Sequence, residues 1–315
     1  MTFIAKKTNE LTNEEWGQIG ELFEVSFQKK MSREWFTNKY KSPINDASYH
    51  GFMLDERKRI VGAMTIIPFE YNFFNQNVIF GLFVDLMIHP LHRNDIMNFK
   101  KIYDVLLILV GKEVDFFYAV PNQNSFNYFL KILQWKKIGR LNYYLWPIKL
   151  SKIVNIPRFF DCIINLASLI VQNVSMPFSS KAVDRAITKK TSKKFTQYRF
   201  NNFYKEIICS EKVAKYKIYE EKGVVTAFLV DISPLEKKWL SKVISLIYRK
   251  EKRKIDVILY VANSNLNTHN ILKTPEKFEP RVLTLIGKIN HSDKVDLKVF
   301  EINNWAFNLS DFDVR

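Results

Sequence analysis

Residues 49–90, YHGFMLDERKRIVGAMTIIPFEYNFFNQNVIFGLFVDLMIHP, contain three apolar runs rich in β-branched and aromatic side chains, separated by the polar stretches DERKR and NQN. Runs of this length bounded by polar turns read as neighbouring strands, so a three-stranded antiparallel meander is predicted. Whatever lies on either side must cover that sheet.

The flanking segments switch to helical period. LTNEEWGQIGELFEVSFQ sets Thr12 and Glu15 in capping-box spacing and then repeats Trp16, Ile19, Phe23 and Phe27 along one face. SREWFTNKYKS predicts a shorter helix that stops before Pro43. Beyond the meander, NFKKIYDVLLILVGKEV places Ile102, Leu106, Leu109 and Val110 on one face. DFFYAVPN reads as a short buried strand, SFNYFLKILQ as a short helix and WKKIGRLNYYLWP as a strand. The predicted class is α/β, with a mixed, mostly antiparallel central sheet flanked by helices.

After residue 180 the stretch KKTSKKFTQYRFNNFYKE is basic and studded with aromatics. The strand and helix pattern then partly recurs. KYKIYEEKGVVTAFLVD predicts a hairpin turned at Lys222-Gly223. SPLEKKWLSKVISLIYRK predicts a helix with Ser233 as N-cap, Pro234 at its first position and Glu236 closing a capping box. DVILYVA and VLTLIGK predict strands. The expected domains are 1–150, a linking region 151–200 with an apolar helix, and 201–315, a smaller second α/β unit.

With 315 residues and 47% hydrophobic content, the chain is long enough for two cores. The opening residues lack the apolar core and cleavage site of a secretory signal, and Cys162 and Cys209 form no disulfide framework or metal-ligand spacing. A cytoplasmic location is expected. The formal charge of +16 matches compositional drift toward lysine. It also favours anionic ligands such as coenzyme A, a nucleotide-sugar or an acidic membrane face. Nucleic acid is not expected as a partner, since no zinc-finger, RNA-binding or basic-zipper pattern is present. The uncharged stretch 162–178, CIINLASLIVQNVSMPF, is interrupted by Asn165, Gln172, Asn173 and Pro177, and a spanning helix needs about 20 predominantly apolar residues. It reads first as a buried or bridging helix. An interfacial helix beside the basic KLSKIVNIPR, in peripheral contact with the inner membrane, is the second reading.

Three stretches, IHPLHR, AVPNQNSFNYFLKILQWKKIGRL and the order of elements around VDLMIHPLHRNDIM, resemble the Gcn5-related N-acetyltransferase family over roughly residues 8–148. The spacing in PN..S and W..IG is similar to acetyltransferase-like proteins of bacterial surface-polysaccharide gene sets. The second unit would then be a degenerate copy of the first. The resemblance implies acetyl-CoA or another acyl-CoA as donor, no metal, and a small-molecule amine as acceptor, such as the amino group of a nucleotide-linked sugar. It further implies that the fourth and fifth strands splay apart around the donor. The main chain at Met87 and Ile88 would hold pantetheine, and the turn Arg93, Asn94, Asp95, Ile96, Met97 and Asn98 would hold the pyrophosphate on the N-terminus of a helix. Asn122 and Ser125 would contribute secondary contacts.

The turn departs from the family pattern. Ile96 and Asn98 stand at glycine places, where a Cβ keeps phosphate from the backbone, and Asp95 adds a charge that opposes an anion. For proton transfer the resemblance implies a carboxylate and a tyrosine, for which the sequence offers Asp85 and Tyr128. Asp85 lies three residues nearer the turn than the family glutamate, and Leu130 stands at the family tyrosine place. Glu70 is a further carboxylate. Asp85 as a plain acceptor and Tyr128 as a packing residue remain alternatives. His89 and His92 flank Pro90 without an evident third metal ligand, and Asn122, Asn124 and Ser125 also suit helix capping. At the end of the chain, NNWAFNLSDFDVR predicts a strand with Asp311 and Asp313 on one face, a candidate carboxylate pair. The alternative to an enzyme is a catalytically silent scaffold of the same fold that binds a protein, an acidic glycan or a membrane surface.

Overall fold

The computed structural model describes residues 1–154, 156–174, 185–200, 203–263, 266, 268–291 and 293–312. In chain order the elements are β1 (Thr2–Lys7), α1 (Asn13–Phe27), α2 (Arg33–Tyr40), β2 (Tyr49–Leu54), β3 (Ile60–Phe73), β4 (Gln76–Ile88), α3 (Met97–Val110), β5 (Phe116–Ala119), α4 (Gln123–Lys131) and β6 (Lys136–Pro147). Then come α5 (Phe159–Val171), β7 (Ile187–Lys189), α6 (Lys193–Arg199), β8 (Lys205–Cys209), β9 (Lys212–Glu221), β10 (Val224–Ser233) and α7 (Lys237–Glu251). Last are β11 (Val257–Ala262), β12 (Leu272–Lys273), β13 (Leu283–Ile289) and β14 (Trp305–Ala306), with short 3-10 turns between several of these.

The elements form two compact units, one from residues 1–139, 187–199 and 284–301, the other from the described residues of 140–186, 200–283 and 302–315. Their limits do not coincide with boundaries at residues 150 and 200, because two later segments return to the first unit.

In the first unit the strands run β1-β2-β3-β4-β5-β13, with β7 on the far end of β3. β1 through β4 are antiparallel, β4 and β5 are parallel, and β13 is antiparallel to β5. The predicted meander is β2, β3 and β4. The β3–β4 hairpin turns at Phe74 and Asn75, both with positive φ. That conformation matches the twist of the flanking strands. β1 had no expectation, and the predicted strand VLTLIGK joins this first sheet rather than the second unit: Ile286–Ile289 pairs with Ala119–Phe116.

Local signals set the helices. Thr12 accepts from the Glu15 N–H at 3.2 Å while the Glu15 carboxylate accepts from the Thr12 N–H at 2.9 Å, which completes the expected capping box of α1. Ser32 caps α2. On α3 the buried stripe is Phe99, Ile102, Tyr103, Leu106 and Val110, with Leu109 at its margin. α3 lies close on β2 because Gly51 has no side chain: a Cβ there would stand 2.8 Å from the Ile102 carbonyl oxygen. Gly51→Ala should push the helix off the sheet and lower stability by about 1–3 kcal/mol, read from the denaturation midpoint. An unchanged midpoint would mean that α3 has room to move.

The second unit has a sheet ordered β8-β9-β10-β11-β6, with β12 on β6. β10 and β11 are parallel and joined through α7; the other pairs are antiparallel. Lys222 and Gly223 turn the β9–β10 hairpin with φ of 51° and 77°, as expected. The helix over SPLEKKW starts later than expected. Ser233 is still paired with Val213 in β10, and α7 begins at Lys237 with Glu236 at its cap. Glu236 does not close a capping box, because its carboxylate reaches Lys212 at 2.6 Å. The core of this unit joins Trp239, Leu240, Val243, Ile244 and Ile247 of α7 to Tyr216, Leu229, Ile258 and Tyr260 of the sheet.

The apolar stretch from residue 162 is not a buried helix: Ser168 and Gln172 are buried, whereas Phe159, Ile163, Leu166 and Ile170 are exposed. Residues 175–178 of that stretch lie outside the described residues. The chain end is not a strand over Asp311. Residues Leu309–Asp311 form a 3-10 turn in which the Asp311 carboxylate accepts from the Asn308 N–H at 2.6 Å. Asp313 lies outside the described residues. Among the described residues no helix is long and apolar enough to cross a membrane.

Candidate active site

β4 and β5 pair only at Phe80–Leu82 with Phe116–Tyr118. β4 then continues for six residues to Ile88, held on its other side by β3. Past Leu82 no described strand pairs with β4 on the β5 side, so the two parallel strands diverge. The His89 N–H donates to the Val61 carbonyl at 2.8 Å. Strand alternation therefore turns the main-chain groups of Ile88 away from β3, toward the side that β5 has left. Met87 is paired with Ala63 and its side chain is buried.

β4 bulges within this divergent part. Thr65 pairs with Val84 but Ala63 pairs with Met87, so β4 carries one extra residue, and Asp85 sits there with φ of 49°. A non-glycine residue in that region is uncommon and needs support from its surroundings. The support is ionic: the Asp85 carboxylate is 2.5 Å from Lys39 Nζ and accepts from the Tyr40 hydroxyl at 2.8 Å, with no exposed side-chain surface of its own. Lys39 lies 4.9 Å from the Trp35 ring centroid, and Tyr40 stacks on Trp16. Lys39 and Tyr40 carried no sequence signal, since they sit in α2, 45 positions from Asp85 in the case of Tyr40.

Next to Tyr40 lies His50, fully buried, with Nδ1 2.9 Å from the Thr65 hydroxyl and Nε2 2.9 Å from the Thr8 hydroxyl. Burial pushes its imidazolium pKa down to about 3.

The turn that follows β4 is closed by its own groups. Pro90–His92 make one 3-10 turn, with His89 Nδ1 accepting from the Leu91 N–H at 3.4 Å. Arg93 folds back, and its Nε donates to the Ile88 carbonyl at 2.7 Å. The Asp95 carboxylate accepts from the Met97 N–H at 2.8 Å, and the Asp95 carbonyl accepts from the Asn98 N–H at 3.1 Å. Asn98 is buried and its side chain donates to the His92 carbonyl at 3.4 Å, while Asn94, Ile96 and Met97 are exposed. A carboxylate of the chain itself thus occupies the N-terminus of α3, the place where a phosphate gains most from free N–H groups.

α4 meets the start of α3 through Tyr128. Asn122 is its cap, accepting from the Ser125 N–H at 2.9 Å and from the Ser125 hydroxyl at 3.0 Å. Tyr128 is exposed, and its ring centroid is 5.6 Å from that of Phe99 in the first turn of α3. Leu130 packs against the core instead. The fold thus brings Ile88, Arg93, Asp95, Asn98 and Tyr128 to one end of α3. Asp85 is enclosed on the α2 side, and Glu70 lies further along β3, opposite Ile79. His89 and His92 have ring centroids 5.9 Å apart. Among the described residues, no three His, Cys, Asp or Glu side chains gather as a metal site.

The second unit repeats the geometry with a different outcome. β10 and β11 pair at Thr226–Leu229 with Val257–Tyr260, and β10 bulges between Leu229 and Asp231 before running on to Ser233. The last part of the chain lies against those strands. The Ser310 hydroxyl donates to Asp231, the Tyr260 hydroxyl to Asn308 Oδ1 at 2.6 Å, and the Asn263 amide to the Trp305 carbonyl at 2.7 Å. Asp231, Asn308, Ser310 and Asp311 are all buried.

No protein-family model matches the sequence, and no curated protein sequence matches it. Solved structures do match in three dimensions. A probable N-acyltransferase from Enterococcus faecalis V583, described as a conserved protein of unknown function, superposes with a TM-score of 0.58 at 14% identity, covering 95% of this chain and 74% of its own. A GCN5-related N-acetyltransferase from Anabaena variabilis gives 0.58 at 12% identity, covering 90% and 72%. Saccharomyces cerevisiae N-myristoyltransferase with bound myristoyl-CoA gives 0.54 at 12% identity, covering 93% and 80%. Identities this low leave sequence-level kinship aside and speak to architecture: the chain has the GCN5-related N-acetyltransferase fold.

Proposed function

We propose that the protein is an acyl-CoA-dependent N-acyltransferase whose donor site is the divergence of β4 from β5 in the first unit. The observation that carries this reading is the contrast between two similar divergences. The one beyond Leu82 has no described strand beside β4 and is met by a single side chain, Arg93 on the Ile88 carbonyl, whereas the one beyond Leu229 is lined by the chain's own residues 305–312. In the reaction a neutral amine attacks the thioester carbonyl, a C–N bond forms, the C–S bond breaks, the nitrogen gives up one proton to solvent water, and the departing thiolate takes one. Tyr128, exposed beside the first turn of α3, is assigned as the donor of that proton. Asp85 is assigned to positioning, because it holds the bulge through Lys39 and Tyr40. The main chain at Ile88 takes the pantetheine, and Arg93, freed from the Ile88 carbonyl, takes phosphate. Acetyl-CoA is the simplest donor. An amino sugar linked to a nucleotide, in surface-polysaccharide assembly, is the acceptor class that the sequence resemblance favours. The repeated strand, strand, helix, strand order in β9, β10, α7 and β11 supports reading the second unit as a degenerate copy.

Asp95 favours a second reading, a scaffold without donor binding, since its carboxylate already accepts from the Met97 N–H at the start of α3. Calorimetric titration with acetyl-CoA and CoA, beside a polyanion of equal charge, separates the two. The enzyme reading expects saturable binding absent for the polyanion. It also expects Asp95→Asn to bind about fivefold or more tightly, because removing a like charge near the pyrophosphate relieves roughly 1–4 kcal/mol of repulsion. No heat at millimolar ligand from either protein would leave the scaffold standing.

A further inference from the structure

α5 is inverted relative to a helix on a water-facing surface. Three polar side chains of the helix and its C-cap bind the rest of the second unit, while Asn165 is exposed: Asp161 accepts from the Ser151 N–H at 2.9 Å, Ser168 accepts from Trp146 Nε1–H at 2.9 Å, and Gln172 accepts from the Asn270 amide at 3.1 Å. The opposite face carries Phe159, Ile163, Leu166 and Ile170, at 59, 55, 64 and 62% exposure. Their i, i+4, i+7, i+11 spacing makes one continuous apolar stripe, flanked by exposed Leu169 and Val174. A contiguous apolar surface of this kind marks a site that is covered by something.

Charge identifies the cover. Residues 162–174 contain no Asp, Glu, Lys or Arg, and the one carboxylate of the helix, Asp161, is turned inward to Ser151. The side chains that border the stripe are cationic. Exposed Lys152 and Arg158 precede the helix, and Arg249, whose guanidinium donates to Asn173 Oδ1 at 2.8 Å, stands at its other end. We propose that α5 lies flat on an anionic lipid surface, with the stripe inserted among the acyl chains and the cations among the headgroups. A helix of 13 residues is about 20 Å long, too short for the roughly 30 Å hydrocarbon core. Residence in the interface plane is the remaining geometry. This membrane contact is independent of what the first unit catalyses.

The test is flotation of the whole chain with vesicles of phosphatidylglycerol and phosphatidylcholine at 3:7, and with pure phosphatidylcholine. The expected result is saturable binding to the mixed vesicles, at least tenfold weaker on the neutral ones. Leu166→Asp/Ile170→Asp should abolish it, and because both positions are exposed the thermal midpoint should be retained. Arg158→Glu, which leaves the stripe intact, should weaken it at least fivefold, since each basic residue near such a surface contributes about that factor. Leu297→Asp, another exposed apolar site but in the first unit, should bind as wild type. Failure to float with either vesicle, or equal flotation of the double variant, overturns the proposal. So does a lipid-free dimer in sedimentation that Leu166→Asp dissolves, because a second copy would then be what covers the stripe.

Discussion

Lys39→Met is expected to destabilise the protein by about 3–5 kcal/mol, the penalty for leaving a buried carboxylate without its counter-ion. Asp85 has no exposed side-chain surface, and its charge is met by Lys39 at 2.5 Å and the Tyr40 hydroxyl at 2.8 Å. Tyr40→Phe removes one hydrogen bond to a charged group and should cost less, about 1.5–3 kcal/mol. The double variant Lys39→Met/Asp85→Asn should recover part of the loss, because no charge is then stranded. Urea denaturation of these three variants and of Asp85→Asn alone reads these values directly. Additive losses in the double variant would mean that the pair is not coupled. The same series bears on the site, since Asp85 fixes the bulge that shapes the free edge of β4: donor affinity should fall in Lys39→Met even at temperatures where the variant is fully folded.

Acid should unfold the protein in a way that His50 dominates in its own window. Burial holds the folded imidazolium pKa near 3, against an ordinary value of 6.5. Above pH 6.5 both folded and unfolded chains carry neutral His50, and the residue contributes no pH dependence. Between pH 6.5 and pH 3 the unfolded chain binds a proton that the folded chain refuses. Stability is therefore lost as pH falls through that interval, by about 1.4 kcal/mol per unit. Between pH 6.5 and pH 4 the loss from this one side chain is roughly 3 kcal/mol. Carboxylates add their own acid dependence below pH 5, so the quantity to measure is the difference between wild type and His50→Gln. That difference should shift in favour of the variant as the buffer is taken from pH 7 to pH 4. A constant difference would mean that His50 reaches water in the folded state.

The turn after β4 was legible as a place, though its state was not. Arg93 through Asn98 lie where strand gives way to helix, as the sequence indicates, and Asp95 stands among them as an anion. That the Asp95 carboxylate takes the Met97 N–H, and that Arg93 folds onto the Ile88 carbonyl, follows from a backbone path that no spacing encodes.

What the sequence by itself determined is what a few consecutive residues control. The Thr12 and Glu15 box starts α1, Lys222 and Gly223 turn a hairpin, and the apolar runs of residues 49–88 form three adjacent strands. In each case the interacting groups are neighbours in the chain, so their geometry is local. Only the tertiary structure decided the rest. It placed β13 beside β5, gave Asp85 to Lys39, kept Ser233 in a strand, and turned Ser168 of α5 inward. These outcomes depend on partners twenty or more positions away, and the free energy that selects them comes from packing and desolvation, which residue spacing along the chain does not record.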